Sequence, residues 1–224
     1  MIKSLSFDQQ QIIQDIISLY IPSGKIDIDP TYSKGIFYKN SPFSAPELKF
    51  DLYPQIDGVV QADCRNLPLQ NESVNSIMFD PPFLATTGKS LDSDENNNLI
   101  NKRFGVYPNE KELHQMYLDA LKEFWRILQP EGILIFKCQD KVSSRKQYMT
   151  HVYTINMAEE IGFYTLDLFV LGVENRLVAD WQRNQKHARK FHSYFLVFQK
   201  PKNKRKMSWE ELKGILDNSY KKED

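Results

Sequence analysis

Four consecutive residues, Asp80-Pro81-Pro82-Phe83, carry the groups that a reaction on a conjugated amine would need. Such an amine is a poor nucleophile because its lone pair is delocalised into the ring. A carboxylate accepting a hydrogen bond from it favours a more tetrahedral nitrogen and helps disperse the proton released when the nitrogen gains a substituent. Asp80 can serve in that way. The prolines fix φ and donate no N–H, so the carbonyl of Pro81 can be held as a second acceptor towards the same amine. Phe83 offers a flat face for a base taken out of its stack. The bland alternative is a Pro-Pro turn with Asp80 as a cap.

These residues must be positioned by the elements around them. The apolar run Ser76-Ile77-Met78-Phe79 leads directly into Asp80 and reads as a strand over 76–80. Earlier β-compatible segments are 26–29 and 48–52, and each carries an acidic residue near its carboxyl end. Ser6 with Gln9 resembles a capping box ahead of Ile12, Ile13, Ile16, Ile17 and Tyr20, and Pro22-Ser23-Gly24 stops that helix. Asn109 with Glu112 opens a second helix, whose stripe is Leu113, Tyr117, Leu121, Phe124 and Leu128. Gln129-Pro130-Glu131-Gly132 turns the chain into Ile133-Leu134-Ile135-Phe136, a strand buried on both faces. A helix within 148–161 stopped by Gly162, strands at 165–171 and 194–198, and a short helix capped by Ser208 and Glu211 complete the pattern. Alternating strands and helices predict an α/β fold with a mostly parallel, doubly wound sheet. Ligands of such sheets sit at the carboxyl ends of the strands, where Asp29, Asp51, Asp63 and Asp80 would converge.

With 224 residues, 41% of them hydrophobic, the chain can bury one sizeable core. No apolar stretch is long enough to span a bilayer, and a secretory signal pattern is missing, so the expectation is a soluble, cytoplasmic protein without membrane partners. Cys64 and Cys138 are far apart and suggest neither a disulfide framework nor zinc. Lys plus Arg and Asp plus Glu each total 29, yet the stretch from Arg183 to Lys206 has nine basic and no acidic residues. That asymmetry fits a phosphate-facing side, or else a solvated connection with a frayed tail.

The tetrapeptide after its strand resembles the S-adenosylmethionine-dependent amino-methyltransferases marked by Asp/Asn/Ser-Pro-Pro-aromatic, most of all the DNA adenine-N6 methyltransferases. The resemblance covers roughly residues 25–200. It implies a Rossmann-like sheet of seven strands with helices on both faces, and Asp80, Pro81, Pro82 and Phe83 as the catalytic loop. Asp29-Pro30-Thr31-Tyr32-Ser33-Lys34-Gly35 looks like the family's cofactor loop Asp-Pro-Phe-x-Gly-x-Gly, with Asp29, Thr31 and Gly35 implied to contact the cofactor, Thr31 standing where Phe is expected and Ser33 where the first glycine is. Asp51 resembles the acid that bridges the ribose hydroxyls, and Asp63 with Cys64 the pair that meets the adenine of the cofactor. The turn Leu128-Gln129-Pro130-Glu131-Gly132 is similar to one common across methyltransferases of this fold. No metal is needed.

Residues 84–108, with Lys89, Lys102 and Arg103, have the composition of a lid over a long substrate or of a plain surface loop. Residues 181–193 resemble the basic-aromatic connection that some DNA methyltransferases place near the target base. There Arg183, Lys186, His187, Arg189 and Lys190 would hold phosphates, and Trp181 or Phe191 would wedge the stack. The expected organisation is an N-terminal helix over 1–24, the domain over 25–200, and a basic tail over 201–224. DNA is the expected partner. RNA adenine, DNA cytosine-N4 and a catalytically silent nucleic-acid-binding module of the same fold remain as alternatives.

Overall fold

The computed structural model describes residues 1–85, 107–143, 145–174 and 187–203. The expectations for Lys89, Lys102, Arg103, Trp181, Arg183, Lys186 and the helix at Ser208 lie outside the described residues, as does most of the lid.

The chain begins with β1 (Leu5–Ser6) and α1 (Gln9–Tyr20), then β2 (Ile28–Asp29), a 3-10 turn (Ile36–Tyr38), β3 (Leu48–Asp51), β4 (Val60–Gln61) and β5 (Val74–Phe79). It continues through α2 (Glu110–Ile127), β6 (Leu128–Cys138), the hairpin β7 (Lys141–Ser143) and β8 (Lys146–Tyr148), α3 (Thr150–Ile161), β9 (Tyr164–Gly172) and β10 (His192–Gln199). Eight strands form one sheet in the order β1-β9-β10-β6-β5-β2-β3-β4, in which β10 runs against its neighbours and the other pairings are parallel. The doubly wound architecture is the expected one, with eight strands among the described residues in place of seven. The extra strand is β1, which lies parallel on β9 with Leu5 opposite Val170.

Side-chain alternation divides the core between the two faces. Ile77 and Phe79 of β5, Leu134 and Phe136 of β6, and Leu196 and Phe198 of β10 pack with Leu113, Tyr117, Leu121 and Phe124 of α2. Met78, Ile133, Ile135, Phe195 and Val197 point the other way, onto Ile12, Ile13, Ile16 and Ile17 of α1. Full burial of each isoleucine contributes roughly 1.5–3 kcal/mol, so the apolar stripe of α1 suffices to seat it.

One local reading is corrected. The cap of α1 is Asp8, which accepts from the N–H groups of Gln10 and Gln11 at 2.8 and 3.3 Å, while Ser6 lies in β1 and its hydroxyl accepts from Asp8 N–H. A carboxylate closer to the first turn outcompetes the hydroxyl. The helix expected within 148–161 is α3, which starts at Thr150 after Tyr148 closes β8 and is stopped by Gly162 as expected. The α2 start is as expected, with Asn109 accepting from Glu112 N–H at 3.0 Å. At its other end Lys200 donates to the carbonyls of Trp125 and Leu128. No helix among the described residues is long and apolar enough to cross a membrane.

Candidate active site

Neighbours β2 and β5 send the chain in opposite directions, β2 to β3 and β4, β5 to β6, so a crevice opens at their carboxyl ends. Asp29 and Asp51 are the last residues of β2 and β3, and Asp80 follows β5. The strand ends bound a cleft of ≈ 460 Å³, open solvent at its mouth included, onto which Thr31, Asp51, Asp63, Cys64, Pro81 and Pro82 all face. Leu52, Phe79, Tyr107 and Met116 supply apolar wall that the sequence reading did not single out.

Asp51 is buried and organises two loops. One oxygen accepts from Ser33 N–H and the other from Tyr53 N–H, both at 2.8 Å. Ser33 itself has a φ of +50°. The position therefore keeps the left-handed turn that a glycine would adopt freely, at a cost of roughly 1 kcal/mol, which the bond to Asp51 offsets. Gly35, also left-handed at +64°, does not line the cleft; a Cβ there would lie 2.6 Å from the Tyr32 ring, so the ring's position requires the glycine.

Asp63 is gripped by Arg65, whose guanidinium and backbone N–H both donate to it, and this holds its carboxyl below the usual range. The segment after it is clamped from α2. Leu67 N–H donates to Glu123 at 2.7 Å, and Arg126 donates to the carbonyls of Leu67 and Leu69.

Asp29 stands behind the cleft lining. Its carboxylate accepts from Thr31 N–H at 2.8 Å, Thr31 Oγ1 at 3.2 Å and the Tyr38 hydroxyl at 2.9 Å. Thr31 Oγ1 in turn accepts from Asp80 N–H at 2.9 Å, so Asp29 positions the catalytic-loop candidate through one intermediate side chain. Burial pushes the Asp29 carboxyl up to about 7, with the nearby Asp80 adding to the rise and the three donors opposing it. A folded carboxyl that titrates above its unfolded value holds its proton longer than the unfolded chain does. Stability should therefore fall as pH rises from about 4 to about 7, by on the order of 4 kcal/mol from this group. Asp29→Asn keeps the shape and one acceptor for Thr31. Urea midpoints between pH 5 and 8 should fall less steeply in this variant than in the parent, and parallel slopes would refute the assignment.

The tetrapeptide is fixed along its backbone. The Tyr117 hydroxyl donates to the Pro82 carbonyl at 2.6 Å, and Lys141 Nζ donates to the Phe83 carbonyl. Among the described residues no donor meets the carbonyl of Pro81. Asp80 Oδ1 is buried and lacks a hydrogen bond; the nearest cation, Lys137 Nζ, lies 3.6 Å away, a charge contact beyond bonding distance. Burial raises the Asp80 carboxyl above the usual range, and Lys137 pulls it back. Lys137, Lys141 and Tyr117 were missed as site residues. The available signal was a lysine breaking the apolar run of β6.

His187, Arg189 and Lys190 lie in the segment leading into β10, whose first residue pairs with Gly172. Because β10 is antiparallel to β6, that segment arrives at the same edge of the sheet as Asp80. It does not line the cleft.

No family model and no curated protein matches this chain. Among solved structures, similarity is found to a provisionally named DNA modification methylase from Thermus thermophilus complexed with S-adenosyl-L-methionine, at 18% identity and a TM-score of 0.44, covering 66% of this chain and 57% of that one. PvuII DNA methyltransferase, cytosine-N4-specific, is similar at 18% identity and a TM-score of 0.45 over 62% of this chain and 47% of that one. A complex of the Haloferax volcanii Trm112 methyltransferase activator with its methyltransferase is similar at 11% identity and a TM-score of 0.47 over 85% of this chain and 89% of its counterpart. The chain spans little more than half the length of the first of these.

Proposed function

We propose that this protein is an S-adenosylmethionine-dependent methyltransferase acting on the exocyclic amino group of a nucleic-acid base, adenine N6 in DNA above the other candidates. The observation that carries the reading is the arrangement of acceptors at the end of β5. A carboxylate and a Pro81 carbonyl that meets no donor among the described residues come from consecutive residues, while the next two carbonyls are tied back by Tyr117 and Lys141. That leaves two acceptors for the two hydrogens of an amine.

The adjoining cleft fits the cofactor in its donor set. Asp51 and Asp63 would hold ribose and adenine, with Thr31 and Cys64 beside them. When bound, the cofactor supplies an electrophilic methyl group on a sulfonium. The protein's own part is to orient the amine. Asp80 accepts one N–H and Pro81 the other, the nitrogen lone pair turns out of the ring plane, and Asp80 helps disperse the proton that the nitrogen releases. Phe83 would stack the base, and His187, Arg189 and Lys190 would contact phosphates at the same end of the sheet; Lys89, Lys102, Arg103, Arg183 and Lys186 are assigned to phosphate contact by their charge alone. Asp as the leading residue favours adenine over the amines served by a leading Ser.

The test is incorporation of labelled methyl groups into duplex DNA, single strands and total RNA, followed by mass spectrometry of the nucleosides. N6-methyldeoxyadenosine is the expected product. N4-methyldeoxycytidine would correct the base, incorporation into RNA alone would correct the polymer, and cofactor binding without transfer would identify a silent module.

A further inference from the structure

The alternation of β6 sends Ile133 and Ile135 to the α1 face, and Lys137 is the next residue of that series. An ammonium thus stands where an apolar side chain would complete the core, with its side chain only 12% exposed. Burying it is costly unless charge and polarity around it compensate. Three elements and the Asp80 loop contribute. Gln9 at the start of α1 accepts from Nζ at 2.8 Å. The rings of Phe37, Phe83 and Phe195 lie 4.8, 5.6 and 5.6 Å from it, within reach of a cation–π contact. Asp80 Oδ1 is 3.6 Å away.

We propose that Lys137 is the positioning residue of the site, supplying from inside the sheet the counter-charge that keeps Asp80 an anion able to accept from the substrate amine. The role rests on the function proposed above. Among the described residues, the titratable groups coupled to Asp80 are Lys137 from β6, Asp29 from β2, Tyr38 from the 3-10 turn and Tyr117 from α2, and Lys137 is the cation among these. Burial works against ionisation and Lys137 favours it, so the balance turns on the lysine. The distance matters too. At 3.6 Å the ammonium stabilises the anion from the buried side, through Oδ1, while the side chain as a whole is 29% exposed, which leaves the rest of the carboxylate to an incoming donor.

A lysine that served only to tie α1 to the sheet through Gln9 would not control the titration of Asp80. The decisive measurement is the carboxyl ¹³C titration of Asp80 in the parent, Lys137→Met and Lys137→Arg, paired with the pH profile of kcat/KM for methyl transfer. In Lys137→Met the Asp80 midpoint should rise by about one pH unit or more, and the acid limb of kcat/KM should move with it. Lys137→Arg should restore both. An Asp80 midpoint unmoved in folded Lys137→Met would overturn the inference, as would failure of arginine to rescue. If methionine prevents folding, Lys137→Gln is titrated in its place and judged by the same shift. The carboxyl titration needs no substrate. A shifted midpoint in a protein that methylates nothing would sink the proposed reaction and with it the positioning role, while an unmoved midpoint in an active enzyme would sink only the role of Lys137.

Discussion

Asp80→Ala is expected to lower single-turnover methyl transfer by about 10³-fold, the scale on which removal of one oriented acid–base or electrostatic group is felt, while the cofactor still binds with an affinity close to that of the parent. The separation follows from how the loop is held. Its backbone depends on Thr31 Oγ1, Tyr117 and Lys141, none of which contacts the Asp80 carboxylate by a hydrogen bond, and the cleft lined by Asp51 and Asp63 has its own supports. Asp80→Asn, which keeps one acceptor oxygen, should lie between the two. Calorimetry with the cofactor and rapid-quench methylation would check both halves, and an alanine variant turning over within about threefold of the parent, against that 10³-fold expectation, would remove Asp80 from the reaction. Because burial raises the Asp80 carboxyl, the acid limb of kcat/KM should lie above the pH at which an exposed carboxylate titrates.

The largest stability effect is expected from Glu110→Ala. Glu110 and Lys141 are each 9% exposed at the side chain and stand 2.7 Å apart, in a charge contact that the Glu110 oxygen does not meet with good hydrogen-bond alignment. Removing the carboxylate leaves an ammonium in a place where burial already lowers its pKa. The cost should be about 3–5 kcal/mol at neutral pH. It should shrink towards alkaline pH, where Lys141 sheds its proton in folded and unfolded chains alike. Replacing both by methionine should recover most of the loss, since a buried pair is often matched by apolar packing, with a remainder because the Phe83 carbonyl then loses its donor. Denaturation of the single and double variants at pH 7 and 10 would measure this, and a single variant as stable as the parent would show that the pair is relaxed by water.

What could be read from the chain depended on how local its cause was. The α2 start was legible because Asn109 and Glu112 are three residues apart and meet within one turn. The cap of α1 was misread because Ser6 and Asp8 both offer oxygens, and the choice between them depends on β1 pairing with β9, far away in sequence. Strands of two or three residues such as β1, β7 and β8 carry no alternation to detect. At the site, the acids at strand ends were legible from the architecture, but not how their oxygens are used. That Asp51 braces the Ser33 turn and that Asp63 faces Arg65 are results of loop packing. The largely enclosed Lys137 was legible in principle, since period-two parity within β6 assigns it the same face as Ile135.

The pairing of β5 with β6 gives that lysine a further meaning. Phe79 is opposite Phe136, and Asp80 and Lys137 are the next residue on each chain. Their proximity is inherited from the ladder rather than from any loop, so loop insertions elsewhere in the domain can accumulate without disturbing it. The same origin makes it brittle in one respect. Lengthening β6 by a single residue ahead of Lys137 would carry the ammonium through the sheet to the α2 face and offer Asp80 a phenylalanine instead, so a lineage could exchange the connections between strands more easily than it could shift one rung.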